Sequence, residues 1–137
     1  MRPTIEAEAF AIVQDDSKGL LDREHAIHYL AEHMSPAAVE QLIPVLDSDE
    51  FSLRWAAADA LRYAGNMALT PLLRKLVQSG SSLTVREVIH HALSKNISPT
   101  VREQAQEVLV AMKGPAADLA TTQAAYQLLR RLDPIEE

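Results

Sequence analysis

Across residues 52–65, "SLRWAAADALRYAG", apolar positions recur at steps of three and four. At 100° per residue, Leu53, Ala57, Ala60 and Leu61 share one side of a helix, with Trp55, Asp59 and Arg62 nearly opposite. The same spacing returns upstream and downstream. "DREHAIHYLAEH" from 22, "LRWAAADALRYA" from 53 and "VREVIHHALSKN" from 85 can be laid on one another so that Arg23, Arg54 and Arg86 align. Leu30, Leu61 and Leu93 follow seven residues later in each copy. A turn signal closes every copy ("HMSP", "AGNM", "KNISP"), and Ser35-Pro36 and Ser98-Pro99 predict the N-cap and first residue of a second helix.

Those second helices read "AAVEQLIPVL", "ALTPLLRKLV" and "TVREQAQEVLVAM", so the unit is helix, turn, helix with a period near 31. Pro44 falls inside the first of them and is expected to bend it. "TIEAEAFAIVQDD" reads as an unpaired helix sealing the N-terminal end, and "PAADLATTQAAYQLLRRL" as a C-terminal seal. The pattern predicts one domain over 1–137: a cap helix over 4–15, repeats over 20–47, 50–78 and 82–113, and a cap helix over 116–132, about eight helices in all. A lone helix pair buries too little to stand, whereas stacked pairs share a continuous core. The expected architecture is all-α, a right-handed α-solenoid (an α–α superhelix) of about three helix pairs capped at both ends.

The repeating frame resembles the short HEAT-like repeats, including those of phycobilin lyases. Their pattern is an aspartate in the turn before the first helix, then Val/Leu-Arg, alanines and a leucine. Here Asp16 and Asp47 each lie seven residues before Arg23 and Arg54, while Ser79 stands at the corresponding place before Arg86. The resemblance covers roughly residues 5–113 and implies that Asp and Arg tie consecutive repeats together, with one tie missing at Ser79. Ankyrin and tetratricopeptide repeats fit less well: "TPL" at 70–72 has no His-x-Ala after it, and the Trp/Gly-Tyr set of the latter is absent.

Composition narrows the picture without changing it. Of 137 residues, 47% are apolar but only 4% aromatic, so the core is expected to be Ala, Leu, Val and Ile, residues that wind into helices at little entropic cost. The net charge of −6 argues against nucleic-acid binding, since phosphates need a basic surface. That charge is uneven: residues 1–50 sum to −8, 51–113 to +4 and the remainder to −2. Such a distribution suits an oriented partner or weak head-to-tail self-association of an otherwise monomeric chain. With no cysteine, thiolate metal sites and disulfides are excluded. The start has no apolar leader and no run suits a membrane, so a soluble, cytoplasmic protein is expected.

Candidate functional residues follow from the free faces. Trp55, Asp59 and Arg62 are expected on an outer ridge, and Trp and Arg are the types most enriched at binding hot spots. The competing reading has Trp55 packed on a neighbouring helix or loop. The second helices are expected to line a shallow concave groove, with Gln41, Pro44, Pro71, Arg74, Gln78, Gln104 and Glu107 outward, and Arg74 beside Lys75 as a positive spot for an acidic peptide or helix. His28, Asp59 and His91 occupy one position in successive repeats. A metal is not expected there, because the outer histidines would lie roughly 20 Å apart for helices spaced ~8–10 Å. The "EH" pairs at 24–25 and 32–33 reverse the His-Glu order of HEAT-like di-iron hydroxylases. A HEAT-like DNA glycosylase would need a basic, aromatic groove, against the net charge. No cofactor, catalytic or metal-binding residue is assigned. The expected function is a non-enzymatic protein-interaction module or adaptor, the alternative a bilin or chromophore lyase or chaperone-like accessory protein of the phycobilin-lyase type.

Overall fold

The computed structural model describes residues 5–132, and all regular structure there is helical. The α-helices are α1 (Ile5–Val13), α2 (Leu20–Glu32), α3 (Pro36–Leu42), α4 (Phe51–Leu61), α5 (Leu69–Ser79), α6 (Leu83–Ser94), α7 (Pro99–Gln104), α8 (Gln106–Lys113) and α9 (Ala117–Leu132). The first position of the expected N-terminal cap, Thr4, and the tail from 133 lie outside the described residues. α7 and α8 are two parts of one expected helix, separated at Ala105 (φ −82°, ψ −1°), so the described residues form eight rods.

The helix starts are written in the local sequence. Ser35 and Ser98 accept hydrogen bonds from the amides of Ala38 and Val101, with proline at the first helical residue, as the Ser-Pro pairs predict. Ser82 caps α6 in the same way through the Val85 amide. Pro44 acts as expected: α3 stops at Leu42 and the chain tightens into a 3-10 turn over Ile43–Asp47, where the missing proline N–H costs less. Gly65, at φ +57°, supplies the left-handed residue that breaks the chain between α4 and α5.

α2 packs on α4, and α4 packs on α6. The stretches beginning at 22, 53 and 85 therefore lie side by side in chain order, and Leu30, Leu61 and Leu93 are all fully buried between them. The middle helix is enclosed on both flanks. Ala58, about 140° around α4 from Leu53, is as buried as Leu53 itself, and the small alanines let the backbones approach closely.

One expectation is corrected: the aspartates are not the common partner of the aligned arginines. Arg54 and Arg86 each donate through Nη1 to a backbone carbonyl six residues earlier, Ser48 O at 2.9 Å and Gly80 O at 2.8 Å. Arg23 donates to Val13 O at 2.9 and 3.2 Å and lies 3.7 Å from a fully exposed Asp16. A backbone carbonyl ahead of the helix is the partner in each copy, so Arg86 keeps its bond although Ser79 replaces the aspartate. Arg102 repeats the device on Asn96 O, a fourth instance outside the alignment.

The C-terminal helix α9 lies along both α8, the last helix of the third copy, and α5, so that α5 packs chiefly on α9 rather than on the second helix of the third copy. Thr121, Ala125 and Leu128 form its buried stripe at i, i+4 and i+7. Gly80 permits the approach: a Cβ there would sit 2.8 Å from Thr122 Oγ1, whose hydroxyl donates to Leu76 O. Glu107, expected to face the groove, pairs at 3.3 Å with Arg131 of α9.

Candidate functional site

The residues aligned across repeats meet at the seam between α4 and α6. Asp59 Oδ1 accepts from Arg62 Nε at 2.8 Å, and His91 Nε2 lies 3.1 Å from the same oxygen. Arg62 also reaches the Tyr63 hydroxyl, and its guanidinium lies 4.2 Å over the Tyr63 ring. Burial pushes the Asp59 carboxyl upward, but the bonds from His91 and Arg62, with their charges, outweigh it and hold the group below the ordinary carboxylate range. The stabilisation from this pairing is therefore present above that range and fades as pH falls through the depressed value. His28, the third member of the alignment, is exposed and shares a shallow cavity of about 420 Å³ with Asp59 and Tyr63. Of the three aligned residues, Asp59 and His91 are the pair joined by a hydrogen bond.

Trp55 is half-buried rather than standing clear of the core. Its ring meets His91 edge-on at 5.3 Å and Phe51 at 6.0 Å, so it packs on the neighbouring helix as the competing reading held. The reason is its place in the middle copy: α6 covers the flank of α4 that an isolated helix would leave open. Phe51, 65% exposed, stands at the outer edge of this cluster.

Arg74 and Gln78 lie on α5, in the other helix layer from this seam, and both are exposed. Arg74 has no ion pair among the described residues. The positive spot expected of Arg74 and Lys75 together is corrected. Lys75 is buried and its ammonium pairs with Asp47, 28 residues earlier, because one step along a helix turns the side chain 100° from the solvent face. Asp47→Ala, which strands that cation, is expected to cost about 1–2 kcal/mol, less than a fully buried pair because the carboxylate is half exposed. Lys75→Met, which removes charge and keeps the packing, should be close to neutral. Urea midpoints separate the two, and equal losses would contradict a stranded charge.

Sequence reasoning passed over Asn96. It is 1% exposed and joins the turns that follow α4 and α6: its Nδ2 donates to Gly65 O at 3.3 Å, and its Oδ1 accepts from the Ser98 amide at 2.8 Å. Beside it the Ile97 amide donates to Arg62 O at 3.0 Å. An asparagine in a turn signals local bonding from sequence, but nothing local tells that its partner is 31 residues away.

Among the described residues no group of His, Asp and Glu is arranged to hold a metal ion, and no helix is long and apolar enough to cross a membrane. The HEAT-repeat family profile matches residues 7–94. This chain belongs to the HEAT-repeat family. The match takes in the first helices of all three copies and stops before the broken helix and α9, where the packing departs from a simple ladder. Comparison with curated proteins and with solved structures gives no match.

Proposed function

We propose that the protein is a non-enzymatic protein-binding module or adaptor, presenting a curved face of a right-handed α-solenoid to a protein or peptide partner. HEAT repeats commonly serve as such modules, because stacked helix pairs make an extended rigid surface. The supporting observation in this chain is the seam of Trp55, Asp59, Arg62 and His91. Residues of two successive repeats hold one another there in a fixed geometry at a half-exposed edge. Side chains ordered before binding lose little entropy when a partner arrives, which is the condition for an efficient anchor. Arg74 and Gln78 offer a second face on α5.

The direct test is affinity capture from native lysate with the full chain and with Trp55→Ala and Arg74→Glu. A partner retained by the wild type and reduced by about tenfold in one variant assigns the face used. Capture of nothing specific, or a partner held equally by both variants, would overturn these residue assignments.

A further inference from the structure

Two cavities of about 480 and 490 Å³ adjoin along α6, sharing His90 and Lys113. Together they form a trough between α6 and α8, with Trp55 of α4 at one end. Its character is unlike the rest of an acidic chain. Lys95 and Lys113 line it with His90 and His91, and Glu87 is the single acid in its wall. Neither lysine's ammonium group has an ion pair or hydrogen bond among the described residues. Val110, 62% exposed, and Leu109 supply an apolar strip beside them.

Free ammonium groups beside an uncovered apolar strip and an aromatic edge are complementary to one chemistry: carboxylates interspersed with an apolar side chain. We infer that this trough docks an acidic segment of a partner protein, with carboxylates on Lys95 and Lys113 and an apolar side chain against Val110 and the Trp55 edge. The inference rests on the reading of the protein as a binding module and names the site and partner chemistry for it.

His90 reports the field in the trough. Burial, then the positive charges of Lys113, His91 and Lys95, hold its imidazole below the ordinary histidine value. The groups facing it are Glu87, His91 and Lys95 from its own helix and cap and Lys113 from α8, with Asp59 of α4 engaged by His91. Bringing carboxylates beside Lys95 and Lys113 offsets the positive charges at His90 and raises its value above that of the free protein. The bound state then holds the proton more tightly, a proton is taken up on binding, and affinity rises as pH falls from the bound-state value toward the depressed value of the free protein, levelling off below it.

Trp55 is the sole tryptophan of the chain and lies in the wall, so its emission reads the site directly. The probe is a synthetic peptide, Glu-Glu-Leu-Glu-Phe-Glu-Glu with blocked ends, compared with the same peptide bearing Gln for every Glu. The expected result is a saturable emission change with the acidic peptide and none with the amide version. Binding should weaken about tenfold in Lys113→Glu or Lys95→Glu, be unaltered in Arg74→Glu, and fade with added salt. It should tighten about threefold to tenfold from pH 7.5 to 5.5, and His90→Gln should remove that pH dependence. Unchanged melting temperatures check that the variants stay folded. No emission change with the acidic peptide, equal binding of the Gln peptide, or indifference to both charge reversals would overturn the inference. If a partner is nonetheless captured from lysate by wild type and by Lys113→Glu alike, the module reading stands on another face. If capture fails as well, both fall.

Discussion

Leu61→Ala is expected to lower the free energy of unfolding by about 3–4 kcal/mol, near the upper part of the range for buried leucines. Leu61 is fully buried in the middle helix of three, and α4 has packed partners on both sides. The cavity therefore opens between the first and third copies, where neither neighbour can collapse into it without leaving its own contacts. In a stack each repeat is stable only through its neighbours, so the loss should appear as a single earlier transition of the whole chain. Urea unfolding followed by circular dichroism and by Trp55 emission checks this. A loss under about 1 kcal/mol, or two separate transitions, would mean that the copies do not share one core.

The second large effect belongs to a polar residue. Asn96→Ala removes the donor to Gly65 O and the acceptor for the Ser98 amide, leaving polar backbone groups unpaired at a seam where Gly65 is itself buried. The expected cost is about 2–3 kcal/mol, since a buried group left unsatisfied costs more than its bond contributed. Asn96→Asp keeps the acceptor but sets a carboxylate against the Gly65 carbonyl, and should be no better. Hydrogen exchange localises the damage: amides of α7 and of the turn after α4 should lose protection before those of α2. Uniform loss across all helices would place the role of Asn96 elsewhere.

How much of this was legible depended on how far each residue's partner lay from the repeat frame. The Arg-to-Leu spacing marked α2, α4 and α6 and the buried leucines at 30, 61 and 93, because helical period and repeat period both act on those positions. The Ser-Pro pairs marked two helix starts, since capping is local. The alignment also brought Asp59 and His91 together, 32 residues apart and hydrogen-bonded. It left Trp55 open between an outer and a packed position, because a helix wheel takes no account of a neighbour covering the flank, and it missed Lys75, which sits one residue and 100° from exposed Arg74. Least legible was α9. Its stripe of Thr121, Ala125 and Leu128 tells that one side is buried but not against what, and the close approach at the end of α5 depends on Gly80, a residue without a side chain to signal it.

The trough of His90, Lys95 and Lys113 was equally hidden. No two of these were aligned by the repeat, and Lys113 reaches His90 only because α8 folds back on α6. The uneven charge along the chain was its faint signature, the basic middle segment showing that cations gather somewhere without showing where.

The arginine bonds to carbonyls carry a consequence for how such a chain tolerates change. A carbonyl oxygen is present whatever amino acid owns it, so the bonds of Arg54 and Arg86 do not themselves depend on which side chains the stretches leading into α4 and α6 carry. Ser79 standing where the other copies have aspartate is one such exchange already made. Within these bends the freedom belongs to positions whose side chains have no other task, so Asp47, Gly80 and Ser82 stay fixed by their own contacts while their neighbours can vary around a constant backbone acceptor.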